Sequence, residues 1–157
     1  MIAYGYPRVT ADVDLLVREQ DRQAWDELIL RLGYYRFHTH PVFHMYRALE
    51  GSGLIEVDLM LVNQSTFDLL NAQARNSELI GEAVRIPSLL HLIALKLHAL
   101  KSSQAARFER DMGDVVMLIQ INGIQLASPE FREILSRYGT PALGAEIERR
   151  VAGISDR

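Results

Sequence analysis

Two aspartates, Asp12 and Asp14, lie two residues apart in a segment that otherwise has the composition of a buried β-strand. Because side chains alternate along a strand, both aspartates project from one face and Val13, Leu15 and Val17 project from the other. At about 3.3 Å per residue the two carboxylates are roughly 6.6 Å apart. They repel each other by about 2.5 kcal/mol at an effective dielectric of 20. The pattern therefore indicates a place where a cation neutralises both charges.

A second β-rich segment, LIEVDLMLV, repeats this pattern with Glu56 and Asp58 on one face and apolar residues on the other. If the two strands are neighbours, three carboxylates converge on one patch. Ligand sets made only of oxygen favour Mg²⁺ or Mn²⁺. Two such ions on shared carboxylates would polarise a phosphoryl group for in-line attack. Acidic residues are also common on the solvent-exposed face of a strand, so an ordinary surface strand stays open as the alternative.

The elements that must position these residues alternate between strands and helices through the first ninety residues. A strand over Thr10–Val17 precedes a helix over 21–33, with Asp21 as its N-cap and Gly33 at its end. The predicted apolar face of this helix consists of Trp25, Leu28, Ile29 and Leu32.

The next segment predicts a hairpin and two shorter elements. Two β-rich runs, over 34–49 and 53–62, are joined by the turn sequence EGSG. A short helix over 65–74 follows, capped by Ser65, and then a short strand over 82–87.

From Ser88 onward the pattern is helical. The first helix has an apolar stripe that ends at Leu100, and Ser102-Ser103 breaks it; a second helix stops at Asn122-Gly123. The sequences SPEF and TPAL each place a capping hydroxyl before a proline, so two further helices close the chain. The inward residues of the second helix are Phe108, Met112, Val115, Val116 and Ile119.

These elements predict an α/β or α+β fold class, with a mixed sheet followed by C-terminal helices. The length of 157 residues predicts one domain over 1–157, with a sheet core over 1–86 and a helical part over 87–157. With 17 basic and 20 acidic residues, the chain has no overall basic field for nonspecific nucleic-acid binding. The absence of cysteines excludes disulfides and thiolate zinc sites. No signal peptide or membrane span is apparent, so a cytoplasmic protein without a membrane partner is expected.

Taken together, the two acidic segments resemble the nucleotidyltransferase superfamily, which has the DNA-polymerase-β-like fold. The likeness is to small bacterial members related to abortive-infection-type toxins. Their pattern G-x-x-R-x-T-x-D-x-D is matched by GYPRVTADVD, a later strand brings a third carboxylate, and a helical lysine precedes a basic-Asp-x-x-Asp segment. The matching residues are Gly5, Arg8, Thr10, Asp12, Asp14, Asp58, Lys96, Arg110, Asp111 and Asp114.

The resemblance implies a mixed sheet flanked by helices and transfer of a nucleotide from an NTP to a hydroxyl acceptor on RNA, protein or a small molecule. It implies that Asp12 and Asp14 hold Mg²⁺ or Mn²⁺ ions that bridge the triphosphate, and that Asp58 holds the catalytic metal and helps to activate the acceptor hydroxyl. Nucleotide binding is assigned by the same resemblance to Arg8, Thr10, Lys96 and Asp111.

The same family pattern places a Gly-Gly or Gly-Ser pair before the glycine that aligns with Gly5. Backbone amides at that turn bind the phosphates of the NTP. In this sequence the pair would fall before Met1. We therefore expect either that the true start lies upstream or that the phosphate-binding turn has been lost and the chain as given is inactive.

Several alternatives remain at this point. A non-catalytic module of the same fold would use it to bind a partner, as in a toxin–antitoxin pair. A metal-dependent nuclease is less favoured, because the usual acidic-x-Lys pairing does not follow Asp58. Lys96 and Asp111 also have structural interpretations, as a lysine extended over an apolar face and as a same-helix ion-pair partner.

Two weaker expectations complete the sequence interpretation. His38 and His40 share a strand face near His44, which fits a surface hairpin better than a zinc site. The apolar surface that would be left where the first family helix should lie predicts self-association, and a homodimer is therefore expected.

Overall fold

A computed structural model describes the chain over residues 1–7, 12–79, 81–101 and 105–155. The chain divides into two compact units. The first, called here the sheet unit, is Val9–Gln73, and the second, called the helical unit, is formed by Met1–Arg8 together with Ala74–Arg157. The strand expected over 82–87 thus groups with the C-terminal helices. The single domain over 1–157 stays a prediction.

The sheet unit contains a four-stranded mixed sheet with the strand order β1-β4-β3-β2. The first strand is parallel to β4, and the other two pairings are antiparallel. The strands are β1 (Asp12–Arg18), β2 (Tyr34–His40), β3 (Phe43–Ala48) and β4 (Glu56–Val62). Two helices accompany them, α1 (Arg22–Arg31) and α2 (Gln64–Ala72).

Alternation along the strands separates an apolar face of this sheet from an acidic one. The apolar residues of β1 and β4 are in register, so Val17 lies beside Leu61 and both are buried. Trp25 and Ile29 of α1 pack on this face. Burial of such side chains contributes about 1.5–3 kcal/mol each, so this packing fixes which face the aspartates occupy.

The helix α1 is amphipathic, but its inward face is narrower than the sequence predicted. Ile29 is buried, whereas Leu28 is 47% exposed and Leu32 is 61% exposed. The assignment of these two leucines to the inward face was therefore wrong. The physical reason is Asp26, which points at β3 and makes hydrogen bonds there. Because Asp26 faces the sheet, Leu28 and Leu32 face away from it.

The predicted N-cap of α1 also behaves differently. Asp21 occupies the N-cap position but its side chain makes no capping hydrogen bond. Instead its carboxylate accepts a hydrogen bond from Arg18 Nε at 2.5 Å. Gly33 directly follows Leu32, the C-cap residue of α1. Its φ is +89°, a conformation that favours glycine, so the predicted end of the helix is confirmed.

The first β-rich run is two strands, because the chain turns back at Pro41–Val42 between β2 and β3. A second local difference concerns α2, which begins at Gln64. Its cap is Asn63, whose side chain accepts a hydrogen bond from Thr66 N at 2.9 Å. Ser65, the predicted cap, is inside the helix and donates its hydroxyl hydrogen to Asn63 Oδ1 at 2.9 Å.

In its described residues, the helical unit contains a short 3-10 helix (Ile2–Tyr4), a two-stranded antiparallel hairpin and four α-helices. The strand β5 was not expected from the sequence. Ser102-Ser103, the expected break after the first of these helices, lies outside the described residues. The elements are β5 (Arg75–Leu79), β6 (Glu82–Ile86), α3 (Leu89–Leu100), α4 (Ala105–Ile121), α5 (Pro129–Tyr138) and α6 (Pro141–Ser155).

The caps predicted for α5 and α6 are confirmed, and α3 has a serine cap of the same kind. Ser88, Ser128 and Thr140 accept hydrogen bonds from the backbone amides three residues ahead. Gly123 ends α4 with φ of +62°. The core of the unit is formed by buried residues of all four helices, among them Ile93, Leu97, Met112, Val115, Leu118, Phe131 and Ile147.

Mixed sheet, flanking helices and C-terminal helices together confirm the predicted α/β fold class. Among the described residues, no helix is long and apolar enough to cross a membrane.

Candidate functional site

The strand register brings the predicted carboxylates side by side. Asp14 lies opposite Asp58, and Asp12 lies opposite Glu56, in the parallel pairing of β1 with β4. Paired residues of neighbouring strands point to the same face, and the strands are about 4.8 Å apart. We call this side of the sheet, which carries Asp12, Asp14, Glu56 and Asp58, the acidic face.

Arg47 shares this face. It lies on β3 and its Nε donates to Glu56 Oε1 at 2.7 Å, with both side chains more than a third exposed. The acidic face has four negative charges, and this ion pair offsets the one on Glu56, next to Asp12. Asp14 is exposed, while Asp12 and Asp58 are partly buried.

The donors fit a hard divalent cation in kind, because all are carboxylate oxygens. These side chains are less closely gathered than the ligands of a metal site. Within the part of the chain that is described, no group of three or more His, Asp or Glu side chains is placed to hold a metal ion. A site formed by Asp12, Asp14 and Asp58 thus stays a prediction.

Two further predicted site residues, Lys96 and Asp111, come together in the helical unit, and Asp114 joins them. Lys96 of α3 donates from Nζ to Asp111 Oδ1 at 3.1 Å and to Asp114 Oδ2 at 2.8 Å, both on α4. The side chain of Lys96 is 18% exposed and that of Asp114 is 2% exposed. Arg107 also reaches Asp111, at 3.4 Å, from one turn earlier on α4.

This arrangement adds an ion pair between two helices to the structural interpretations of these residues. Lys96 does not merely extend over an apolar face, since its ammonium group has two carboxylate partners. The same-helix pair of Arg107 with Asp111 does form, but it supplements the contact from Lys96. The ammonium group of Lys96 is thus held by two carboxylates of the neighbouring helix α4, and such charge-assisted hydrogen bonds define its position.

Arg8 and Thr10, the other residues assigned to nucleotide binding, lie outside the described residues. Gly5, the first glycine of the matched pattern, is described and has a structural reason to be glycine. Its φ is +75°, and a Cβ there would lie 3.1 Å from Cγ2 of Ile121.

A polar cluster on the apolar face was missed by the sequence interpretation. Asp26 of α1 binds three partners: its Oδ1 accepts from Tyr46 Oη and lies 2.9 Å from His44 Nδ1, and its Oδ2 accepts from Arg36 at 2.9 Å. His44 and Tyr46 are buried. We call these four residues the Asp26 cluster.

Hydrogen bonding sets the charge state of this cluster. Burial alone would raise the pKa of Asp26, but hydrogen bonds from Tyr46 and His44 and the charges of His44 and Arg36 outweigh it, so its pKa is lowered. Burial and the adjacent Asp26 carboxylate raise the pKa of Tyr46. Asp26 is therefore ionised and Tyr46 keeps its proton as a donor. The cluster fastens α1 to β3, on the sheet face opposite the acidic one.

An open cleft of about 490 Å³ lies at the other end of the sheet. It occurs where β1 and β4 end, whereas Asp12 and Asp14 are near the start of β1, so about five residues or 16 Å of strand separate Asp14 from Glu19 at its rim. The cleft contains none of the predicted site residues. Its lining residues are Glu19, Gln20, Arg22, Gln23, Asn63 and Gln64.

Proteins similar to this chain are found among solved structures. No family model matches the chain. A search of curated proteins also gives no match. Among solved structures, the chain is similar to an antigenic nucleotidyltransferase-like protein from Paracoccidioides brasiliensis, with 16% identity and a TM-score of 0.47 over 88% of this chain and 75% of that one. A likeness of this degree assigns no function to this chain.

Proposed function

We propose that this protein is a metal-dependent nucleotidyltransferase that moves a nucleotide from an NTP to a hydroxyl acceptor. The observation that carries the proposal is the direct pairing of Asp14 with Asp58 on the acidic face. Two carboxylates on adjacent parallel strands repel each other, and a divalent cation between them would relieve that repulsion.

Each carboxylate has a distinct role in this proposal. Asp12 and Asp14 on β1 would hold Mg²⁺ or Mn²⁺ with Asp58, and the ion supplies charge neutralisation for the triphosphate. Asp58 accepts the proton of the acceptor hydroxyl. The hydroxyl oxygen then bonds to the α-phosphorus, and the bond from that phosphorus to the pyrophosphate oxygen breaks.

Lys96 would meet a phosphate group of the nucleotide. The support for a positioning role of Asp111 is its 3.1 Å contact with the lysine Nζ, which holds the ammonium group in one orientation. Lys96 also contacts Asp114, so its contacts with the described residues use two of its three N–H groups.

Calorimetric titration of the protein with an NTP and Mn²⁺ tests the proposal. Wild type is expected to bind, and the double variant Asp12→Asn/Asp14→Asn is expected to lose binding. A matched control, Glu50→Gln/Asp68→Asn, removes the same charge from exposed positions of the same unit and should bind as wild type does. If wild type binds no nucleotide with Mn²⁺, the enzyme proposal fails.

A second candidate is a non-catalytic module that uses the same fold to bind a partner, as in a toxin–antitoxin pair. The observation that favours it is the diversion of Glu56 to Arg47, which leaves the acidic face without a gathered set of three ligands among the described residues. The same titration separates the candidates, because a module of this kind would show no Mn²⁺-dependent nucleotide binding.

A further inference from the structure

The acidic face changes character from one side of the sheet to the other. Rows of side chains cross it from β1 through β4 and β3 to β2, and carboxylates occupy only the first two strands. One row consists of Asp14, Asp58, Met45 and His38. The next row consists of Leu16, Met60, Phe43 and His40.

The far half of this face carries stacked rings. Phe43 stacks with His40 at 4.7 Å between centroids and 21° between planes, and with His38 at 5.5 Å and 29°. Both histidines are exposed and Phe43 is partly buried. We call these three residues the His–Phe shelf. The near-parallel rings offer flat surface to solvent, which is the property that nucleobases use when they stack on proteins.

A cation lies on the same face, two residues along β3 from Met45, which pairs with His38. The guanidinium of Arg47 is 3.9 Å from the ring centroid of Phe37, and its side chain is 47% exposed. Although Arg47 contacts Glu56 through Nε, a guanidinium has further N–H groups to donate. Stacked rings and an arginine on one face of the sheet are suited to a base and a nearby phosphodiester.

We propose that the His–Phe shelf binds the terminal base of an acceptor that is single-stranded RNA. This inference rests on the proposed function and names the acceptor class for that site. Its basis is the order of groups across the face. Asp12 and Asp14 on β1, which would serve the triphosphate, come first, and Asp58 on β4, which would serve the acceptor hydroxyl, comes next. The shelf lies beyond Asp58, on the acceptor side, with β2 about 9.6 Å from β4.

The charge of the protein favours a short single strand over a duplex. The net charge at pH 7 is −3, so a long run of phosphates finds no broad basic surface. A chain end needs only one or two phosphate contacts, and its unpaired base is free to stack. RNA offers such unstacked ends, which proteins bind through aromatic side chains.

Fluorescence anisotropy with a 5′-labelled RNA pentamer ending in adenosine, in the presence of Mg²⁺, tests the shelf. Compared with wild type, His38→Ala/His40→Ala is expected to bind about 5- to 150-fold more weakly, the range for loss of base stacking. The control His98→Ala removes an exposed histidine of the helical unit and should leave the affinity unchanged. A pentamer that lacks its terminal base should bind wild type about as weakly as the double variant binds the intact RNA.

Phe43→Leu provides a second variant in case the histidine pair matters to the hairpin, since leucine keeps apolar bulk but has no ring. Circular dichroism identifies which variants are folded. Any folded shelf variant that binds the pentamer as tightly as wild type overturns the inference. So does a wild type that binds no RNA, or one that binds the RNA without its terminal base equally well.

Titration of the shelf variant with NTP and Mn²⁺ separates this inference from the function on which it rests. Unchanged NTP binding with weakened RNA binding supports an acceptor site. Equal loss of both would place the base of the incoming nucleotide on the shelf and overturn the acceptor assignment. If wild type binds RNA through the shelf but binds no NTP, the proposed function fails while the stacking site stands.

Discussion

At the scale of single residues, the Asp26 cluster shows how much a carboxylate can contribute when its partners are buried. Asp26 is ionised next to Tyr46, which has no exposed surface, and to His44. Removing the charge would leave two buried donors with a weaker acceptor. Hydrogen bonds to charged groups are worth about 1.5–3 kcal/mol, so the cluster is a substantial part of what holds α1 on the sheet.

We predict that Asp26→Asn lowers the free energy of unfolding at pH 7 by about 2–3 kcal/mol, measured by urea denaturation. Because the folded pKa of Asp26 lies below its ordinary value of 3.8, this contribution is complete above about pH 4 and is lost as pH falls through the folded pKa. The difference between wild type and variant should therefore shrink in acid. Asp21→Asn, at a more exposed aspartate, should cost under about 1 kcal/mol. A pH-independent difference would contradict the assignment.

The second prediction at this scale concerns Lys96. Lys96→Met removes the cation from between two buried carboxylates, and breaking a buried ion pair in this way costs about 3–5 kcal/mol. Thermal or urea unfolding measures the loss. Lys101→Met, the same change at an exposed lysine at the end of α3, should have an effect within about 0.5 kcal/mol.

A rescue experiment checks the cause. In the Lys96→Met background, Asp114→Asn removes one of the two carboxylates that Lys96 contacts and should recover part of the lost stability. If the double variant is less stable than Lys96→Met alone by the full cost of a second lesion, the two side chains do not act as a pair.

At the scale of elements, the helices and their caps were the most predictable features. The stripe of α4 from Phe108 to Ile119 and the Ser-Pro and Thr-Pro starts of α5 and α6 depend on residues within one or two turns of each other. Local spacing alone specifies such features. The elements that differed, β5 and the division of the first β-rich run, depend on pairing with a second strand.

The cap of α2 offers a discriminating prediction. Asn63→Ala should destabilise the protein by about 1 kcal/mol, because it removes the acceptor for the Thr66 amide. Ser65→Ala removes only a hydroxyl that donates to the same Asn63 oxygen, and should cost a few tenths of a kcal/mol. Urea denaturation of both variants gives the comparison. If Ser65→Ala destabilises the protein more than Asn63→Ala does, Ser65 is the cap, as first predicted.

Local spacing in the sequence also made the candidate site predictable in part. Alternation within β1 was enough to place Asp12 and Asp14 on one face, and their partnership with Asp58 followed once the strands were taken as neighbours. The Asp26 cluster could not be found this way, because the partners of Asp26 are 10 to 20 positions from it in the chain and meet it only through the packing of α1 on the sheet. An acidic residue on the inward side of a helix was the one available signal.

At the scale of the whole molecule, net charge and exposed apolar surface together determine how readily the protein associates with itself. The isoelectric point of 5.9 is near neutrality, and the net charge is small. Large apolar side chains are exposed on the sheet unit, with Leu49 72% and Val42 55% exposed. Little electrostatic repulsion therefore opposes association through these surfaces near the isoelectric point.

We predict a solubility minimum close to pH 5.9, seen by dynamic light scattering as larger particles at pH 6 than at pH 8.5. Leu49→Gln, which leaves the charge unchanged, should reduce scattering at pH 6. The same variant at pH 8.5 should match wild type. Equal particle size at the two pH values would show that net charge does not limit association of this protein.

The position of β1 in the sheet has a consequence for folding. Among the strands that the structure describes, β1 pairs with β4 alone and so forms an edge, and Asp14 meets a residue 44 positions later in the chain. The β2–β3–β4 meander closes through short loops, so it can form first, whereas closing the longer loop to β1 is slower. The paired carboxylates would then be among the last features to assemble and the first to separate. Amide hydrogen exchange should be faster in β1 than in β3, so that local opening of one strand would dismantle the acidic face while the rest of the sheet stays folded.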